Sequence, residues 1–216
     1  MELDKLSKNT LYVILAAIDN LGKHSDTRNI VEQAQSEEEI VHKIFELYDE
    51  DLVWYVCYGS NLCLKRFMRY LTGDALPEYN LPKRSSLAFT DQKTPRAIKL
   101  FQIPYELYFA EQSGWWDNGS VAFIDCNKPG KTYGRAYLVS RAQYEHVKEH
   151  EGDKYQYQIG LGTLDGYPAY TFTNEYRFLE KHPVSPRYQK VIIDGLVDAG
   201  MKKEDAKKYL EECLKR

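Results

Sequence analysis

Trp54-Tyr55-Val56-Cys57-Tyr58-Gly59-Ser60-Asn61-Leu62 is the stretch on which the reading of this chain turns. Residues 52–57 are apolar, aromatic and β-branched, the composition of a buried strand. Gly59-Ser60-Asn61 then breaks the pattern, because Gly adopts backbone angles closed to other residues and Ser and Asn favour turns and caps. Residues 62–71 follow with helical period. A strand, a glycine turn and a helix start in succession leave several backbone N–H groups unpaired and pointing one way. Such a turn suits a carboxylate, a phosphate or a developing oxyanion. The plainer reading of the same residues is a strand-to-helix turn with Asn61 as the N-cap.

Upstream, residues 1–50 read as helical. Leu11, Ile14, Leu15, Ile18 and Leu21 fall on one helical face, with Gly22 as the stop. Ile30, Val31 and Ala34 suggest a short second helix. Ser36-Glu37-Glu38-Glu39 has the form of a capping box, opening a third helix with Ile40, Ile44, Phe45 and Leu47 on its face. Fifty such residues cannot bury much on their own, so they are expected to pack on the domain behind them or on a second copy, as a homodimer.

Downstream of residue 97 the pattern becomes one of strands: 97–103, 105–110, 120–126 and 131–139, the last two joined in a hairpin by Asn127-Lys128-Pro129-Gly130. Residues 112–119 form a loop carrying Trp115 and Trp116, which either line a pocket or fill the core. Ser140-Arg141-Ala142-Gln143 is a second capping box. It starts a helix over 141–150 that Gly152 stops, leaving Glu151 at its C-terminal edge. A carboxylate there faces the negative end of the helix, at a cost of roughly 0.3–1 kcal/mol. That misplacement fits a functional group as well as it fits a solvated surface. Residues 157–164 and 167–173 flank Asp165-Gly166, a two-residue hairpin turn. Ser185-Pro186 opens a further helix ended by Gly200, and an amphipathic helix over 203–214 closes the chain.

At 216 residues the chain makes one large domain or a domain with an extension. Lys plus Arg number 29 against 32 Asp plus Glu, a net charge of −3 that argues against a nucleic-acid partner. Cys57, Cys63, Cys126 and Cys213 form no C-x-x-C pair and follow no secretory signal, which points to reduced thiols and a cytoplasmic location. The apolar run over 11–18 is too short to span a membrane, so no membrane partner is expected. G-x-G-x-x-G, the phosphate loop and G-x-S-x-G are all absent, which disfavours dinucleotide-dependent dehydrogenases, nucleotide hydrolases and serine hydrolases.

Tyr55-Val56-Cys57-Tyr58-Gly59-Ser60-Asn61-Leu62 resembles the signature loop of the gamma-glutamylcyclotransferase-like family, with Val56 for the usual phenylalanine and Cys57 for the usual alanine. Further stretches resemble that family in its own order. These are Trp116 with Gly119-Ser120-Val121-Ala122, Gly134-Arg135-Ala136-Tyr137, the helix ending in Glu151-Gly152, and Ser185-Pro186-Arg187-Tyr188. The resemblance runs over residues 52–195 and leaves 1–50 outside. It implies an α+β fold: a small closed mixed β-barrel flanked by helices over 51–216, with 1–50 as an N-terminal helical extension. It further implies an enzyme, a transferase or lyase, that releases 5-oxoproline and a free amino acid or amine from a γ-glutamyl amide. By the same resemblance Glu151 is the acid/base. Tyr55, Val56, Cys57, Tyr58, Gly59 and Ser60 hold the glutamyl group, and Tyr188 lines the same pocket.

The residue types suit that chemistry. The α-amino group of a γ-glutamyl substrate attacks its own γ-carbonyl, and a base must take a proton from that amine. A carboxylate shielded from water gains the needed basicity. The nucleophile belongs to the substrate, so effective molarity supplies much of the rate, and neither metal nor cofactor is called for. Two other readings stand beside this one. His146-Val147-Lys148-Glu149-His150 fits H-x-x-E-H, the pattern of inverted zinc metallopeptidases, with Glu211 or Glu212 as a third ligand. A binding module that kept the fold without the reaction is the other.

Overall fold

The computed structural model describes residues 6–21, 24–46, 51–175 and 179–215. Five strands form one sheet: β1 (Leu52–Cys57), β2 (Ala97–Ser113), β3 (Gly119–Ser140), β4 (Tyr157–Leu164) and β5 (Tyr167–Thr173). Their order is β2-β3-β1-β5-β4, and only the β1·β5 pair is parallel. The stretch that opened the sequence analysis is thus the central strand. All six of its residues are buried, which is why it reads as a continuous apolar run rather than an alternation.

Two expectations about the sheet are corrected. The hairpin expected at Asn127–Gly130 does not exist, because residues 119–140 are a single strand. That strand pairs along its whole length with β2, and the register shifts where Tyr105 meets Pro129. Pro and Gly here mark an irregularity at which a long two-stranded ribbon bends, not a reversal of the chain. The sheet is also not a closed barrel. The first half of β3 curls toward β5, but the gap is spanned by one side chain: Thr173 Oγ1 donates to Ile124 O at 2.8 Å and accepts from Ile124 N at 3.1 Å. No backbone ladder joins these strands, and the space beside them becomes the site described below.

The Asp165-Gly166 hairpin forms as expected, with both residues at positive φ, 49° and 83°. The helices are α1 (Lys8–Leu21), α2 (His24–Gln33), α3 (Glu37–Glu46), α4 (Leu64–Thr72), α5 (Arg141–His150), α6 (Pro186–Asp198) and α7 (Lys203–Leu214). Gly22 and Leu47 lie outside the described residues. On α1 the buried residues are Val13, Ile14, Ala16 and Ala17, whereas Leu15 is 63% exposed. Of the expected face, Ile14 is buried and Leu11 and Ile18 pack against the core, so Leu15 alone among its described side chains departs from it. The Ser36 box is half formed. Ser36 Oγ caps Glu39 N at 3.2 Å, but the Glu39 carboxylate takes the N–H of Gln35 instead of that of Ser36. The box at Ser140 forms, with Ser140 and Gln143 capping each other reciprocally, and Ser185 opens its helix as expected, accepting from Tyr188 N behind Pro186. The first three helices share one apolar core with the sheet.

Candidate active site

Strand β1 ends at Cys57, and the chain turns through a single 3-10 turn, Ser60–Leu62, before α4 begins at Leu64. Two buried side chains of β3 hold this turn. The Tyr137 hydroxyl donates to Asn61 O at 2.8 Å, and Arg135 Nη1 donates to Leu62 O at 2.9 Å. With its carbonyls fixed from below, the turn presents the Asn61 side chain on the opposite side. Asn61 is not a helix cap. Cys63 occupies the N-cap position and makes no side-chain cap bond.

Asn61 Nδ2 instead donates to Glu151 Oε1 at 2.6 Å and to the Tyr55 hydroxyl at 2.9 Å. Glu151 arrives from the far side as the C-cap of α5. The next residue, Gly152, has φ 75° and ψ −178°, a conformation essentially confined to glycine. That turn takes the chain away and leaves the carboxylate facing inward. The Tyr55 hydroxyl lies 3.4 Å from Oε1, and Tyr70 also hydrogen-bonds the carboxylate. Tyr70 is itself held by Arg66, whose Nη2 donates to the tyrosine hydroxyl at 3.0 Å. A ring packing of Tyr55 with Phe67, Tyr144 and Phe172 backs the group.

Burial pushes the Glu151 carboxyl above its usual pKa, and Arg66, Asn61, Tyr70 and Tyr55 pull against that shift without cancelling it. Once ionised, the carboxylate is therefore more basic than an exposed glutamate. Burial likewise raises Tyr70, to about 12, so it serves as a hydrogen-bond donor and not as an anion.

Across the cavity stands Tyr188 of α6. Its hydroxyl oxygen accepts from Ala122 N at 3.2 Å and from the backbone N–H of Ser60. Both lone pairs are engaged, so the hydroxyl hydrogen is the part left to donate. Gly59 is glycine because of this tyrosine: a Cβ there would stand 2.8 Å from the Tyr188 hydroxyl. Its φ of −110° requires no special residue, so close approach, and not an unusual turn, sets the glycine. The cavity between Glu151 and Tyr188 measures about 40 Å³. It opens into a groove of about 350 Å³ that Ser60, Glu151, Tyr155 and Tyr188 also line.

No family model matches the sequence. Among curated proteins, histone deacetylase 5 of Arabidopsis thaliana is 23% identical over a 207-residue alignment that covers 76% of this chain. The aligned part is 31% of that protein, so the chain spans about a third of the length of the curated relative it matches. Among solved structures, a gamma-glutamyl cyclotransferase superposes with a TM-score of 0.50 at 21% identity, covering 73% of this chain and 85% of its own. An uncharacterized protein from Homo sapiens superposes with a TM-score of 0.51 at 23% identity, covering 74% of this chain and 86% of its own. The chain has the gamma-glutamylcyclotransferase-like fold.

Within this gamma-glutamylcyclotransferase-like fold, Tyr55, Cys57, Tyr58, Gly59, Ser60, Glu151 and Tyr188 all line the cavity. Val56 does not. It pairs with Ala136 in the sheet and points to the other face, where its methyl group would touch a Cβ placed on Gly134. Period two separates it from Tyr55 and Cys57. The Tyr58 hydroxyl is spent on Phe172 O at 2.6 Å, and Cys57 Sγ faces Arg135 O at 3.3 Å with its thiol pushed far up by burial. Both shape the wall and do not react. Asn61, Arg66 and Tyr70 were missed. Asn61 reads locally as a cap, and Arg66 and Tyr70 carry no local signal beyond the helical period of residues 62–71.

His146, Glu149 and His150 lie on the same helix, with ligand atoms all within 4.8 Å of one another. His146 Nε2 sits 2.9 Å from Tyr70 O and 2.8 Å from Leu87 O, and His150 Nδ1 sits 2.8 Å from His146 O. Each of those nitrogens carries its hydrogen, so His146 Nδ1 and His150 Nε2 are the atoms that could hold a metal. Glu149 would then be a ligand and not a base, and neither Glu211 nor Glu212 joins the group. A peptidase constellation is therefore not assembled among the described residues. Trp116 is buried against Tyr188, while Trp115 is 48% exposed in the groove. The segment around Lys93 to Arg96 bonds to Gln143 of α5 and lines neither space. No described helix is long and apolar enough to cross a membrane.

Proposed function

We propose that the protein is a gamma-glutamylcyclotransferase-like enzyme that cyclises a γ-glutamyl amide to 5-oxoproline and releases the attached amine or amino acid. The observation that carries this reading is the buried Glu151 carboxylate, hydrogen-bonded by Asn61 and facing the Tyr188 hydroxyl across a small cavity. The γ-glutamyl head occupies that cavity, with its α-amine beside Glu151. Glu151 takes a proton from the amine as its nitrogen bonds to the γ-carbonyl carbon. The carbonyl oxygen gains negative charge, and the Tyr188 hydroxyl donates to it. The bond from that carbon to the departing nitrogen then breaks, and Glu151 returns the proton to that nitrogen, leaving one amide in a ring and one free amine. Ring closure within one bound molecule needs orientation more than activation, so no metal or cofactor enters the scheme.

The test is Glu151→Gln, which keeps size and hydrogen bonding and removes basicity. Release of 5-oxoproline from a panel of γ-glutamyl compounds should fall roughly 10²–10⁴-fold, the usual worth of a positioned acid/base. Glu149→Gln, two residues away on the exposed side of the helix, should cost little. Near-full turnover by the Glu151 variant would refute the scheme, and no release from any compound by the parent would favour a binding module.

A further inference from the structure

The cavity is small and opens into the adjoining groove, which shares Ser60, Glu151, Tyr155 and Tyr188 with it, so the departing part of a substrate extends into that groove. That groove has a cationic wall. Arg66, Arg69 and Arg84 line it together with Trp115. The guanidinium carbons of Arg69 and Arg84 lie 5.8 and 5.5 Å from the Trp115 ring centre. Arg66 bonds Tyr70 and its charge faces Glu151, whereas the side chains of Arg69 and Arg84 meet a backbone carbonyl and a ring: Arg69 bonds Pro82 O at 2.7 Å, and Arg84 lies over Trp115. Buried N–H groups at Arg66 Nε, Arg66 Nη1 and Arg69 Nε meet no protein acceptor among the described residues. Burial, and then the charges of Arg66 and Arg84, lower the pKa of Arg69, the mark of like charges held together. Two carboxylates line the groove: Glu151, which is committed to the cavity, and Asp153, whose Oδ1 accepts from Gln156 Nε2 at 3.1 Å; Lys154 lines it as well, its ammonium contacting Gln112 O and pairing with Glu111 at 3.5 Å.

Planar guanidinium forks match carboxylates two bonds at a time, and one α-carboxylate engages a single fork. Arg69 and Arg84 line the groove with no carboxylate partner among the described residues, and two such forks exceed what the single carboxylate of a simple amino acid leaving group engages. We propose that the groove selects γ-glutamyl substrates whose leaving amine carries two or more carboxylates, an acidic amino acid or acidic peptide, with Arg84 and Arg69 as the specificity-determining residues. This deepens the cyclisation reading and rests on it for the word substrate.

Arg84 is the residue to change, because its backbone N–H and C=O bond Gly73 O at 2.8 Å and Leu87 N at 2.9 Å and hold the loop without its side chain. The parent enzyme and Arg84→Gln are assayed for 5-oxoproline release from γ-glutamylglutamate, γ-glutamylalanine and γ-glutamylethylamide. The parent should favour the glutamate compound over the ethylamide by tenfold or more in kcat/KM. Arg84→Gln should lower that ratio about tenfold, the worth of one charge-assisted contact, and Arg84→Lys should restore part of it. Calorimetric titration with glutarate, a dicarboxylate with no amide to cleave, reads the groove without turnover, and its affinity should fall about tenfold in Arg84→Gln. A ratio near one in the parent, or a ratio and glutarate affinity that Arg84→Gln leaves unchanged, overturns the proposal while leaving the cyclisation reading in place. Glutarate binding that depends on Arg84, with no 5-oxoproline from any compound, upholds the acidic groove and removes the cyclisation reading.

Discussion

Asn61→Ala separates a catalytic reading of the quoted stretch from a purely structural one. The substitution removes the 2.6 Å bond to Glu151 Oε1 and the 2.9 Å bond to the Tyr55 hydroxyl. The first is a donor to a charged group in a buried place, worth about 1.5–3 kcal/mol. It favours the carboxylate over the carboxylic acid, so its loss raises the Glu151 pKa. At 1.36 kcal/mol per unit, the rise is about one to two units. The base must be ionised to act, so the acidic limb of the kcat/KM profile for 5-oxoproline release should move up by the same amount. Below that limb the rate should fall about 10–100-fold, with a smaller change on the plateau. A ¹³C titration of the Glu151 carboxyl reports the same shift without turnover. Had Asn61 been a helix cap, the variant would lose about 1 kcal/mol of stability and keep its pH profile. An acidic limb and a carboxyl titration that both stay in place would refute the assignment of Asn61 to the base.

Two further outcomes follow from the same site. The folded protein holds the Glu151 proton more tightly than the unfolded chain, whose carboxyl titrates near 4.5. The group therefore adds stability below that pH, and the contribution is lost as pH rises through the raised folded value. The thermal stability of Glu151→Gln relative to the parent should accordingly be higher at roughly pH 8 than at roughly pH 4; an identical difference at both would contradict a raised pKa. Dialysis against a chelator should leave 5-oxoproline release unchanged, and loss of activity restored by zinc would transfer the site to His146, Glu149 and His150.

Local signals decided what the sequence could specify by itself. The apolar run before Gly59, the box at Ser140, the helix start at Ser185-Pro186 and Asp165-Gly166 each depend on residues a few positions apart, and each formed where the residue types put it. The family resemblance rested on the same short stretches, and it placed Glu151, Ser60 and Tyr188 around one cavity although up to 128 positions of chain separate them. Three matters required the tertiary structure. The ribbon of β2 and β3 swallowed a turn signal at Pro129-Gly130, because pairing along two long strands outweighs a local preference to reverse. The barrel stayed open, because one threonine rather than a ladder bridges its gap. And Asn61, Arg66 and Tyr70 gathered at the Glu151 carboxylate in a fold where Tyr137 and Arg135 hold the turn after β1 from the far side. A cap and a buried donor to a carboxylate are the same residue type in the same local sequence. What separates them is where a helix 90 residues further on brings its last side chain.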